Sequence, residues 1–182
     1  MPIGSFSTFR DVIRLVLLNH PGTVLDLGIG HGINGAGIRN WLDCGIKPYS
    51  TRIEGVEGWP AYRSPLWDCY DQVHETTIQE FLTRDDRHWD MILMTDVLEH
   101  FDKEEGELIL EGCKQRLNTG GNLIVVTPAV WIEQGAAYGN ELERHRSLWK
   151  PGDFPGFYLV KDGKPDDMQY RMIVAEFIKR RT

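Results

Sequence analysis

The chain has 182 residues, 41% hydrophobic and 26% charged, with six Trp, six Tyr and seven Phe, which excludes a disordered chain and allows one packed core. Its net charge of −7 opposes general attachment to nucleic acid, which needs cations to displace condensed counterions. Cys44, Cys69 and Cys113 are odd in number and form no CxxC pair, so neither a disulfide framework nor a thiolate metal site is expected, and a reducing cytoplasm fits best.

From the N-terminus, residues 8–19 place Phe9, Val12, Ile13, Val16 and Leu17 at helical spacing before Pro21-Gly22, so a helix is predicted there. The apolar stretch Val12 to Leu18 contains Arg14 and precedes no small-residue cleavage site. Neither a signal peptide nor a membrane span is expected. Thr23 to Leu27 reads as a strand running into Gly28, Gly30 and Gly32, and Ile33 to Leu42 as a helix. Arg52 to Val56 is the second strand, Pro60 to Asp68 a short helix or turn, Gln72 to His74 a weak third strand, and Ile78 to Thr83 a helix. Asp90 to Thr95 reads as a buried strand, Lys103 to Leu117 as a helix with Leu108, Ile109 and Cys113 inward, Asn118 to Gly121 as a turn, and Asn122 to Thr127 as the most apolar strand.

Alternation of this kind predicts an α/β fold: a doubly wound, Rossmann-like, mostly parallel seven-stranded sheet covered on both faces. Residues 128–156 carry Pro128, Pro151 and Pro155 and predict a long functional loop with one short helix. Phe157 to Lys161 and Met172 to Ile178, joined around Asp162-Gly163, predict a closing antiparallel hairpin. The expected organisation is one domain: N-terminal helix 1–22, ligand-binding core 23–127, substrate loop 128–156 and hairpin 157–182.

The segment Asp26-Leu-Gly28-Ile-Gly30-His-Gly32 is the informative one, because glycines at a strand's carboxyl end let the backbone approach a ligand. Gly30, Gly32 and Gly35 also match the dinucleotide pattern GxGxxG, which would make the chain an NAD(P)-dependent oxidoreductase. In that register the strand continues to Ile29 and traps Asp26 inside it, costly for an unpaired carboxylate. In the other register Asp26 ends the strand and faces a cationic ligand group across the crevice.

DLGIGHG at 26–32, GVEGW at 55–59 and TDVLEHF at 95–101 together resemble the class I S-adenosylmethionine-dependent methyltransferases, over about Thr23 to Val126. The resemblance implies that Asp26, Gly28, Gly30 and Gly32 wrap the methionine part of S-adenosylmethionine and that Glu57, beside Gly58, accepts from both ribose hydroxyls. It places Trp59 over the adenine, the plain alternative being a core or rim tryptophan. Thr77-Ile78 stands where the family usually has an acidic residue before an apolar one; Thr77 and the Ile78 amide would then meet the adenine. Thr95 and Asp96 are implied to line the donor, with Glu99 or His100 towards the acceptor; the plain structural alternatives are a helix N-terminal charge and a satisfied histidine.

Segment Gln134 to Trp149 follows the fifth strand, where the family builds its substrate site. Tyr138, Asn140, Glu143, Arg144, His145 and Ser147 are candidates for recognising a small-molecule acceptor, or else form a cap and surface ion pairs. His100 and His145 have the unperturbed pKa a general base would need. No HExxH, CxxC pair or clustered carboxylate set occurs, so no metal is expected. A noncatalytic S-adenosylmethionine-binding module is the other reading. With one helix before the first strand there is little material for a lid, so the substrate could be large, or a partner chain, a second copy included, could close the site.

Overall fold

The computed structural model describes residues 6–164 and 169–180. Its helices are α1 (Phe6–Asn19), α2 (Ile33–Trp41), α3 (Ile78–Arg84) and α4 (Lys103–Gln115). Its strands are β1 (Thr23–Leu27), β2 (Arg52–Glu57), β3 (Gln72–Glu75), β4 (Trp89–Thr95), β5 (Leu117–Pro128), β6 (Tyr158–Gly163) and β7 (Met172–Ile178). They form one sheet in the order β3-β2-β1-β4-β5-β7-β6, parallel from β3 to β5 and antiparallel through β7 and β6. The expected doubly wound sheet with its antiparallel end is therefore present.

Successive side chains of a strand point to opposite faces, and the two faces build two cores. Leu25, Leu27, Ile92, Met94, Leu123 and Val125 face one side with Ile78 and Phe81 of α3 and Ile109, Leu110 and Cys113 of α4. Val24, Ile53, Met91, Leu93, Ile124 and Val126 face the other with Val12, Ile13 and Val16 of α1 and Ile38 of α2. Both faces of the central strands are covered, which explains why DMILMT and NLIVVT read as continuous apolar runs.

Four expectations are corrected. Leu108 is 74% exposed; the buried stripe of α4 is Gly106, Ile109, Leu110 and Cys113, the i, i+3, i+4, i+7 set, which excludes position 108. The predicted turn Asn118–Gly121 lies inside β5 as an irregularity, where the partner of β4 jumps from Leu117 to Asn122. Asp162 and Gly163 do not turn the hairpin but pair with Ile173 and Met172, and part of the connection lies outside the described residues. Segment 128–156 holds two 3-10 turns, Glu141–Glu143 and Pro151–Asp153, in place of one short helix.

Candidate functional site

The parallel strands β1, β2 and β4 end side by side, and the order of strand addition reverses between β1 and β4. The pocket opens there, where carboxyl ends of strands leave a crevice in doubly wound folds. Its walls include Gly28, Gly30, Glu57, Gly58, Thr77, Ile78, Thr95, Asp96, His100 and Glu143, all predicted site residues.

Gly28 has φ 72° and Gly30 φ 53°, in the left-handed region that a side chain resists. A Cβ at Gly28 would sit 2.5 Å from Val97 Cγ2, so this glycine is also required by packing. The turn is held from several directions. The Gly28 amide donates to Val56 O at 2.8 Å and the Gly30 amide to Glu57 Oε2 at 2.9 Å. Trp67 Nε1 donates to Gly30 O at 2.8 Å, and Ser64 Oγ to His31 O at 2.6 Å. The segment after β2 thus fixes the turn's carbonyls, a role that its sequence did not announce.

Asp26 occupies a different place from the one expected. It lies within β1, paired in register with Gly55 and Leu93, and is fully buried. Its carboxylate accepts from Tyr70 Oη at 2.7 Å and from Asn34 Nδ2 at 3.3 Å. Burial raises its pKa to about 6 despite those hydrogen bonds. Asp26 therefore supports the turn from beneath, and the pocket carboxylates are others. Gly32 (φ 92°) begins α2, and a Cβ there would press on Trp67 and Tyr70. The third glycine of the overlapping pattern, Gly35, admits the Tyr70 ring, which a Cβ would meet at 2.4 Å.

Glu57 is 6% exposed. Besides the Gly30 amide it accepts the Trp59 amide at Oε1, 2.8 Å away. Burial pushes its carboxyl up, opposed by these amides. Trp59 is half-buried against the core between the sheet and α1. Thr77 caps α3 by accepting the Glu80 amide at 3.3 Å. Thr95 Oγ1 accepts from Asn34 Nδ2 at 3.0 Å. Asp96 is a non-glycine residue at φ 55°, and burial raises its pKa to about 6.

Glu99 is 4% exposed and accepts from Thr127 Oγ1 at 3.0 Å. Burial and the nearby Asp96 charge push its carboxyl well up. His100 and His145 approach with ring centroids 5.0 Å apart. Burial depresses both imidazoles, which favours the neutral form. Tyr138 is 75% exposed and Arg144 ion-pairs with Glu141 at 3.0 Å; both lie outside the pocket lining, where a surface role suffices.

The loop after β5 folds over the pocket. Glu143 accepts from Tyr62 Oη at 2.9 Å, and Gln134 Nε2 donates to Glu143 O at 2.6 Å. The amides of Arg146 and Ser147 donate to Glu99 O at 2.8 and 3.2 Å. Leu142 leans on Gly58, where a Cβ would come within 2.7 Å of its Cδ1. Thr8, Phe9 and Val12 of α1 complete the wall. The pocket residues missed by sequence reading include Phe9, Asn34, Tyr62 and Arg146; they sit on four separate segments and share no motif.

The electrostatics of this pocket are one-sided. Glu57, Asp96, Asp102, Glu105 and Glu143 line it against Arg146 alone among lysines and arginines of the described residues. Such a lining attracts a cation and repels an anion.

Comparison with solved structures gives the same topology at low sequence identity. TehB from Haemophilus influenzae has TM-score 0.68 at 13% identity, covering 94% of this chain and 62% of that one, so the chain spans somewhat less than two thirds of TehB. The N-methyltransferase NodS from Bradyrhizobium japonicum has TM-score 0.61 at 13% identity, covering 97% and 99%. The 1,6-didemethyltoxoflavin-N1-methyltransferase of Burkholderia thailandensis, solved with that compound and S-adenosylhomocysteine, has TM-score 0.68 at 15% identity, covering 97% and 80%. A search of curated protein sequences gave no match. The sequence profile of the family described as "Methyltransferase domain" matches residues 6–155, most of the chain, and the protein therefore belongs to that family.

Proposed function

We propose that the protein binds S-adenosylmethionine in this pocket and transfers its methyl group to a small-molecule acceptor. The observation that carries the reading is the acidic lining. A nicotinamide dinucleotide would bring a pyrophosphate to a turn bordered by Glu57, Asp96 and Glu143, whereas the methyl donor brings a sulfonium and an ammonium, which those carboxylates favour. The positive-φ glycines supply the close backbone approach that the ligand needs.

Bound S-adenosylmethionine supplies a methyl group on an already good sulfur leaving group. The chain's own contribution is to hold and align. Glu57, with each carboxylate oxygen accepting one amide, retains lone pairs for the ribose hydroxyls. Thr77 and Ile78 border the adenine end, and Thr95 and Asp96 the methionine end. The folded loop and α1 exclude water from the remaining space and orient the acceptor, from which much of the rate enhancement of a displacement comes. Burial depresses His100 and His145, so both rings are neutral and weak bases, and alignment carries more of the reading than proton transfer.

The free cysteines Cys44, Cys69 and Cys113 suit a reducing compartment, and we place the enzyme in the cytoplasm. Among the described residues no helix is long and apolar enough to cross a membrane.

Calorimetric titration of the native chain and Glu57→Ala with S-adenosylmethionine, S-adenosylhomocysteine and NADH tests the reading. The expected result is micromolar affinity for both sulfur compounds, weakened at least about tenfold by the substitution, a loss of about 1.4 kcal/mol. Binding of NADH with no binding of either sulfur compound would overturn it.

A further inference from the structure

Two histidines and a carboxylate converge beside the pocket, where His100 is part of the wall. Glu99 and His100 belong to the 3-10 turn after β4, while His145 comes from the loop after β5. One ligand atom from each lies within 4.8 Å of the other two.

The hydrogen bonds of the two rings are arranged alike. His100 Nδ1 lies 3.3 Å from Arg144 O, and His145 Nδ1 lies 2.8 Å from Ile132 O. A carbonyl oxygen only accepts, so each ring is the Nδ1–H tautomer, and each Nε2 keeps a bare lone pair. A backbone carbonyl holding one ring nitrogen so that the other can ligate is the usual outer support of a metal-binding histidine. Glu99 is oriented as well, by Thr127 Oγ1 on Oε2 at 3.0 Å, which leaves Oε1 for a further partner.

Glu99 is 4% exposed and the half-buried Asp96, which lines the pocket, lies near it on the same turn after β4, so the local acidic character favours a cation.

We propose that Glu99, His100 and His145 form a binding site for one divalent transition-metal ion, with Asp96 beside it. Two imidazole nitrogens and one carboxylate oxygen suit Zn²⁺, Co²⁺ or Mn²⁺ over Mg²⁺, which prefers oxygen ligands throughout. Ligands around one such ion stand roughly 3.3 Å apart, so binding draws the loop carrying His145 inward. Three protein ligands leave a position open for a further donor, and His100 borders the pocket. Resting on the methyl-transfer reading, this selects acceptors that present an oxygen or nitrogen donor beside the methyl group.

The spacing of Glu99, His100 and His145 matches no compact metal motif; the tertiary fold alone brings them together.

The test is titration of chelator-treated full-length protein with Co²⁺, read by its visible absorption, with Zn²⁺ and Mg²⁺ as competitors. The expected result is one Co²⁺ per chain, displaced by Zn²⁺ and not by Mg²⁺, with affinity lowered about 10- to 100-fold by either His100→Ala or His145→Ala. The circular dichroism spectrum and the urea-unfolding midpoint of the variants serve as controls for folding. Thr127→Val keeps all three ligands and is expected to weaken Co²⁺ by a smaller factor. Substoichiometric Co²⁺, or affinity unchanged by both histidine substitutions, would overturn the proposal. Stoichiometric Co²⁺ without any S-adenosylhomocysteine binding would leave the metal site standing and remove the methyl-transfer reading.

Discussion

Tyr70 Oη stands between Asp26 and Gly35: it donates to Asp26 Oδ2 at 2.7 Å and accepts the Gly35 amide at 3.0 Å. One phenol thereby joins the first strand to the first turn of α2 beneath the glycine loop. Tyr70→Phe removes the donor from a buried carboxylate, and the cost depends on pH. The folded pKa of Asp26, about 6 against an ordinary 3.8, means that its burial opposes folding increasingly as pH rises from 3.8 through 6. Without Tyr70 Oη the folded pKa rises further. Tyr70→Phe is expected to cost about 1–3 kcal/mol at pH 8 and less at pH 5, measured by urea unfolding at both. An equal cost at the two pH values would show that Asp26 does not ionise there.

Glu57 accepts amides at both oxygens, so Glu57→Gln must turn its own NH₂ towards a backbone N–H. One amide then loses its acceptor. The expected loss is about 1–3 kcal/mol of stability, together with weaker binding of S-adenosylhomocysteine by at least about tenfold. Unfolding and calorimetry on the same preparation read both; full retention of affinity would remove Glu57 from the ligand site.

Glu54 is a fully buried carboxylate that accepts from Arg87 Nη1 and Nη2, both at 2.8 Å, and from Arg52 Nε at 2.8 Å. These partners and His74 hold its pKa at about 2 against the burial that opposes them. A depressed folded pKa contributes stability that is complete above the ordinary 4.5 and is lost as pH falls towards 2. Glu54→Gln is therefore expected to cost about 1–3 kcal/mol at pH 7. The gap from the parent protein should narrow only below about pH 4.5, read by thermal unfolding across pH.

Trp149 anchors the loop that covers the pocket. It is fully buried, donates from Nε1 to Ser147 Oγ at 2.8 Å, and lies under Lys103 Nζ, 3.6 Å from the ring centroid. A Cβ at Gly106 would come within 2.6 Å of the ring, so α4 passes this close only because it has a glycine there. Trp149→Ala is expected to cost about 3–5 kcal/mol. Because the Arg146 and Ser147 amides hold Glu99 O, it should also speed hydrogen exchange of residues 140–147; unchanged exchange would separate the loop from its anchor.

The elements of this fold were legible because strand and helix periods differ and glycine and proline punctuate them. TVLDL and MIVAEFI were read with the observed bounds of β1 and β7. The ends were less legible where local residues serve two roles: Asn118–Gly121 has turn composition yet stays in β5, since the ladder to β4 outweighs local preference.

At the pocket, the sequence by itself determined the glycine turn and the acidic end of β2, because both are local consequences of chain geometry at the carboxyl end of a strand. The tertiary structure decided which carboxylates face the pocket. Asp26 and Glu57 look equivalent in sequence, yet the side-chain alternation of β1 turns Asp26 towards Tyr70 and Asn34, while Glu57, last in β2, reaches the Gly30 amide. It also brought His145 to His100, since a loop's path over a sheet depends on what packs beneath it, here Trp149 in the groove beside Gly106, and not on the loop's own residues.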